Sequence, residues 1–212
     1  MKNLDNNTIR LIEEYPLDLE NEVGPRANIL LTLLGYKKGF IEFLDSYNRT
    51  GKQEDFQGKG LKNLLGELDL PYREGKTRTE YRFPNGEVEV AYKDLLVGKD
   101  KPSLERLHQA RNPSIVKRLL GGQEYDHEEI GRCLGYPETA IEAFAGKRAR
   151  KKEKEEYMPI SSVANFVFSE GNYTQELDFL RQEDEAIRKV SPTIYRMLQD
   201  KLEKYFSSRR AS

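Results

Sequence analysis

The stretch Glu80-Tyr81-Arg82-Phe83-Pro84-Asn85-Gly86-Glu87-Val88-Glu89-Val90-Ala91-Tyr92 decides the fold class. Tyr81 and Phe83 alternate with Glu80 and Arg82, and Val88, Val90 and Tyr92 alternate with Glu87, Glu89 and Ala91. That period of two is the pattern of a strand with one buried and one wet face. Asn85-Gly86 between the halves suits a tight turn, because both residue types accept positive φ. The pattern predicts antiparallel strands around residues 79–83 and 87–92. Two strands alone are marginal in water, so the pair must pack on helices or join another strand.

Outward from this hairpin the apolar spacing is helical. A first helix stops near Pro16. Pro25 sits in the first turn of a helix that carries Ile29, Leu30, Leu33 and Leu34 and ends at Gly35. Phe40, Ile41, Phe43 and Leu44 suggest a second short helix over 38–47. Leu61, Leu64, Leu65 and Leu68 give one helical face before Pro71. Beyond the hairpin, helices are expected at Leu104 and Leu107, after the cap at Asn112-Pro113, after Asp126 with Glu129 three residues on, and after Pro137. A final pair is expected over 174–190 and from Ser191-Pro192 onward. The fold class is therefore mainly α with a small antiparallel β-hairpin (α+β), its helical hairpins arranged around one core. Residues 1–146 form the core with the hairpin insert at 77–92. Residues 147–158 are a charged linker or solvated helix, and 159–212 a C-terminal helical segment packing on the core.

Composition narrows the function classes. The 212 residues carry 35 Lys and Arg against 36 Asp and Glu, a net charge of −1, so no global field draws in nucleic acid or an anionic membrane. One cysteine, Cys133, cannot form an internal disulfide, which fits a reducing compartment. No apolar run approaches the roughly 18 residues of a membrane helix, and without an apolar segment after a basic start no secretory signal peptide is expected. A cytoplasmic protein that does not engage a membrane is expected.

Two helix corners share their letters. Leu34-Gly35-Tyr36 returns as Leu134-Gly135-Tyr136, and Ile41-Glu42 as Ile141-Glu142, one hundred residues on. Glycine permits a left-handed corner, and tyrosine packs a ring while its hydroxyl reaches a polar group. The pattern reads as an internal repeat or as two convergent corners, packed together or flanking a shared cleft. The segment from His127 to Phe144, with Ile130-Gly131 and Leu134-Gly135-Tyr136-Pro137, resembles a helix-corner motif of uncharacterised prokaryotic, mainly archaeal, proteins. Such proteins often place cysteines after the corner, where this chain has Thr139 and Ala140. The resemblance implies no established activity.

His127 is the foremost ionisable candidate. It stands in a first helical turn followed by Glu128 and Glu129, an arrangement that can serve acid–base chemistry or face solvent. Tyr136 closes the same helix and, with His127 and Glu128, completes the candidate catalytic set. The helix opened by Pro137 must fold back for His127 to share a pocket with Tyr136 or Arg132. Arg111 and Arg132 are candidate ligand contacts near that corner. Arg78, Tyr81 and Arg82 interleave basic and aromatic groups beside the hairpin, a mix that could stack bases and neutralise phosphates. His108, His127 and Cys133 lack zinc spacing, so no metal is expected. No nucleotide, hydrolase, kinase or zinc-protease motif is present, and no cofactor is expected.

The first reading is an interaction protein. A protein partner or self-association is favoured over nucleic acid, which stays open as a partner. The alternatives are a small-molecule enzyme with a polar pocket near His127, or a homo-oligomeric structural protein joined through its last helices at Ile194, Leu198, Tyr205 and Phe206.

Overall fold

The computed structural model describes residues 4–19, 22–48, 58–82, 88–112, 125–150 and 166–210. The described elements run α1 (Asn6–Glu14), α2 (Val23–Leu34), β1 (Gly39–Asn48), α3 (Lys59–Glu67), β2 (Tyr72–Arg82), β3 (Val88–Gly98), α4 (Lys101–Arg111), α5 (His127–Cys133), α6 (Glu138–Phe144), α7 (Tyr173–Val190) and α8 (Pro192–Arg210). The molecule is mainly helical with a small antiparallel sheet, the α+β class expected.

β2 and β3 pair antiparallel, with Arg82 opposite Val88 closing the hairpin. The turn at Asn85-Gly86 and the cap at Asn112-Pro113 lie outside the described residues. The pair does join a third strand. The order is β1-β3-β2, which makes β3 central.

That third strand is a correction, because residues 38–47 read as a helix. Phe40 and Leu44 are buried and Phe43 is 54% exposed. A spacing of four satisfies a strand face as well as a helix face. The intervening aromatic and β-branched residues suit the pleat. Pairing decides: Phe40 stands opposite Val97 and Ile41 opposite Leu96.

β3 runs on beyond the expected residue 92 to Gly98, and this added part is buried on both faces. Leu95, Leu96 and Val97 are all 0% exposed, because helices cover both sides. Phe40, Leu44, Leu95 and Val97 pack with α2 and α3 residues Ile29, Leu30, Leu61, Leu64 and Leu65. Leu96 packs instead with Leu104, Leu107, Ile130 and Cys133. A third cluster gathers Ala140, Phe166, Phe168, Leu177 and Leu180.

The last two helices belong to the main cluster through Ile187, Ile194 and Leu198. Ile194 and Leu198 are therefore buried within one chain and are unavailable to an interface with a second copy. α6 ends at Phe144, so residues 147–150 do not extend it as a helix, and Arg150 forms a β-bridge with Ser169. Among the described residues, no helix is long and apolar enough to cross a membrane.

Candidate functional site

The site grows from the corner between α5 and α6. Asp126 Oδ1 accepts the Glu129 N–H at 3.1 Å and fixes where α5 starts. The helix ends in a left-handed corner, Gly135 at φ +79°, with the Tyr136 N–H donating to Gly131 O at 2.9 Å. Pro137 is extended, and α6 then folds back beside α5, its Ile141 side chain filling the space above Gly131.

Between this helical hairpin and residues 166–167 lies a cavity of about 230 Å³. Its walls include His127, Tyr136, Ala140, Ile141, Phe144 and Phe166. His127 and Tyr136 thus reach one cavity from opposite ends of α5, brought together by the returning helix. The lining is largely apolar. The His127 ring meets Phe144 edge-on at 5.2 Å and Tyr125 at 5.9 Å. Tyr136 lies 5.2 Å from Phe166, which continues to Phe168 at the same spacing. Phe144 is 43% exposed, and the Arg150 guanidinium sits 5.2 Å from its ring centre.

The other residues singled out near this corner are engaged elsewhere. Arg132 Nη2 contacts Glu138 at 2.7 Å and Glu128 at 3.3 Å, so the carboxylates around it push its guanidinium pKa up. Glu128 also binds Lys147 at 2.6 Å, and that hydrogen bond holds its carboxyl below the ordinary range. Neither residue is among those lining the cavity. Glu142 pairs with Arg148. Arg111 binds Asp94 at 2.6 Å and lies over the Tyr125 ring at 4.1 Å, tying α4 to β3.

The hairpin candidates are placed by backbone register. Arg78 stands opposite Tyr92, Tyr81 opposite Glu89 and Arg82 opposite Val88. His108 lies on α4, where burial and then Arg73 lower its pKa. Among the described residues, no group of three or more His, Cys, Asp or Glu is placed to hold a metal ion.

A buried polar centre behind Tyr136 was missed by motif reading. Lys37 and Glu183 are only 3% and 2% exposed. Lys37 Nζ donates to Asn28 Oδ1 at 2.9 Å. Burial pushes the Glu183 carboxyl up to about 7, with Lys37 opposing and Asp184 adding to the rise. Burial lowers the Lys37 pKa and Glu183 opposes that shift. The Tyr136 hydroxyl is raised by burial and then by Glu183. A signal for Glu183 exists in the sequence. Leu177, Leu180 and Ile187 mark the buried stripe of α7, and positions 183 and 184 fall on that stripe as acids.

The two Leu-Gly-Tyr corners meet at this centre. Lys38 N–H donates to Cys133 O at 3.1 Å, which joins the chain after the first corner to the end of α5. A β-carbon on Gly135 would lie 2.6 Å from Tyr36 O, so the second corner packs directly on the first. The matching Ile-Glu pairs fall in different elements, Ile41-Glu42 in β1 and Ile141-Glu142 in α6.

No protein-family model matches the chain, and neither the curated proteins nor the solved structures include a match to it.

Proposed function

We propose that this chain is an interaction protein whose α5–α6 corner takes up one apolar side chain of a protein partner. The observation that carries this reading is the cavity of about 230 Å³ whose walls include the exposed Phe144. Small-molecule sites usually span about 300–1,000 Å³. This cavity is smaller and suits a single aromatic or branched aliphatic group. Anchors of that kind concentrate binding energy when they fill a desolvated pocket. His127 adds one polar edge that can orient a ring or accept a backbone donor. The enzyme reading draws on His127 too, yet Glu128 and Arg132 at this corner are committed to ion pairs.

A test is selection of displayed peptides against the chain, in parallel with an Ala140→Leu variant that fills the cavity. Ala140 is 1% exposed, so the added atoms occupy the cavity or displace its wall. Peptides enriched on the native chain should share an aromatic or aliphatic anchor and bind the variant at least tenfold more weakly. Chemical shifts of the His127 imidazole should move on binding. Enriched peptides that bind the variant equally, or leave His127 unmoved, overturn the reading.

A further inference from the structure

We infer that the contact between the two Leu-Gly-Tyr corners is a proton-operated joint, held closed by the proton on the buried Glu183 side chain and loosened as that proton leaves. The joint needs no occupant in the cavity.

It is built from three pieces of chain. The first corner supplies Tyr36 O and the Lys37 side chain, which press on Gly135: an ideal β-carbon there would lie 2.6 Å from Tyr36 O and 3.2 Å from Lys37 Cγ. The end of α5 supplies Cys133 O, which accepts the Lys38 N–H at 3.1 Å. α7 supplies the backing, with Tyr136 packed on the cluster that holds its Leu177 and Leu180. Glu183 follows one turn after Leu180 on the same buried stripe. Tyr136 also lines the cavity, so one wall of the cavity rides on this joint.

Glu183 Oε1 is buried and has no hydrogen-bond partner. A neutral carboxyl tolerates that position far better than a carboxylate, whose charge must be paired or hydrated. Among the described residues, the charges acting on Glu183 are Lys37 and, on its own helix, Asp184. α2 presents the neutral Asn28, whose Oδ1 already accepts from Lys37 Nζ at 2.9 Å. The second corner presents the Tyr136 hydroxyl. α8, which also packs on α7, adds no charge to that set. Moving Lys37 Nζ to an ionised Glu183 breaks the Asn28 bond and shifts the stem that lies against Gly135. Admitting water instead parts the same surfaces. Either response to ionisation opens the joint.

Outside the joint the carboxyl titrates near 4.5, and inside it burial raises that to about 7. Opening therefore releases a proton between those values, so the open population grows up to about tenfold per pH unit there and levels off above. Lys37, lowered by burial, acts with the opposite sign wherever the closed joint holds it neutral.

Amide hydrogen exchange of the full chain from pH 5 to 8 tests the joint. After correction for intrinsic rates, protection of the Lys38 N–H should fall as pH rises to about 7 and then hold. It should stay below the protection of β3 amides, which marks local opening rather than unfolding. Glu183→Gln should remove the pH dependence. Lys37→Met keeps the stem and removes the opposing charge, so it should carry the fall to higher pH. A Lys38 amide whose protection is flat with pH, unaltered by Glu183→Gln, or equal to that of β3 overturns the proposal. If Glu183→Gln does not fold, the carboxyl carbon shift of Glu183 in the native chain decides. A midpoint near 7 that coincides with the levelling of Lys38 protection supports the joint, and one near 4.5 overturns it.

Discussion

The carbonyl oxygen of Tyr36 occupies the space a Gly135 side chain would need: an ideal β-carbon on Gly135 would lie 2.6 Å from it. Contacts that short are essentially never made by real β-carbons, so the close approach depends on glycine. Gly135 also has φ +79°, where other residues are strained. Gly146 separates these two effects, because it has φ +78° and nothing within 4 Å of its missing β-carbon. Gly146→Ala should cost about 1 kcal/mol from the dihedral alone. Gly135→Ala should cost at least about 1–2 kcal/mol more, because overpacking is added. Urea unfolding of both variants measures the difference, and equal losses would show that the corner contact is unimportant.

The Glu183 carboxyl predicts a stability that falls with pH. The unfolded carboxyl titrates near 4.5 and the folded one at about 7. The native state therefore holds an extra proton across that interval, and stability drops as pH climbs through it, by at most about 1.4 kcal/mol per unit. Asp100 and Glu74 have lowered values and act with the opposite sign, their contribution being lost as pH falls through their folded pKa values. Glu183→Gln should flatten the dependence between about pH 5 and 7. Urea midpoints across that range provide the check, and an unchanged slope contradicts the assignment.

Glu176 holds the segment after residue 166 against α6. Its buried carboxylate accepts from Ser169 N at 2.8 Å, Ser169 Oγ at 2.5 Å and Thr139 Oγ1 at 2.5 Å. Glu176→Ala leaves these donors without their acceptor and should cost about 2–4 kcal/mol, whereas Thr139→Ala should cost about 1 kcal/mol. Chemical denaturation of the two variants gives the comparison. Near-equal losses would mean that the bonds to Ser169 contribute little.

The Arg111–Asp94 pair is largely withdrawn from water, with side chains 14% and 4% exposed. Removing either partner strands the other, so Arg111→Met and Asp94→Asn should each cost about 3–5 kcal/mol. The double variant should cost clearly less than the sum of the two. Additive losses in a double-mutant cycle would show that the pair is not energetically coupled.

Sequence patterns revealed local features more readily than distant pairings. Alternation identified β2 and β3, because a period of two has few rivals when charge and apolar side chains alternate so regularly. Asp126 and Ser191 were legible as caps, since each bonds a backbone N–H three residues on. β1 was misread because Phe40, Ile41, Phe43 and Leu44 satisfy helix and strand spacing alike, and its partner lies fifty residues away across the β2–β3 hairpin. At the corner, the helix start that orients His127 was readable, and its meeting with Tyr136 depended on Pro137 returning the chain. The engagement of Arg132 with Glu138 required the geometry of that return. Lys37 was hidden for a different reason. Nothing local separates it from Lys38, and its burial follows from the distant α7.

One hydrogen bond bears on how the chain can be synthesised. Ser191 Oγ donates to Glu13 Oε1 at 2.5 Å across 178 positions of sequence, and Ile12 shares a core with Ile194 and Leu198. A nascent chain extends from its amino end, so Ile12 and the apolar side of α2 are made long before the helices that cover them. Until residues near 198 leave the ribosome, the part of that early surface that α7 and α8 cover stays open, even after β1 and α3 have packed on the rest. Holdase chaperones therefore have a defined interval in which to act, and translational pauses upstream of α8 would lengthen it.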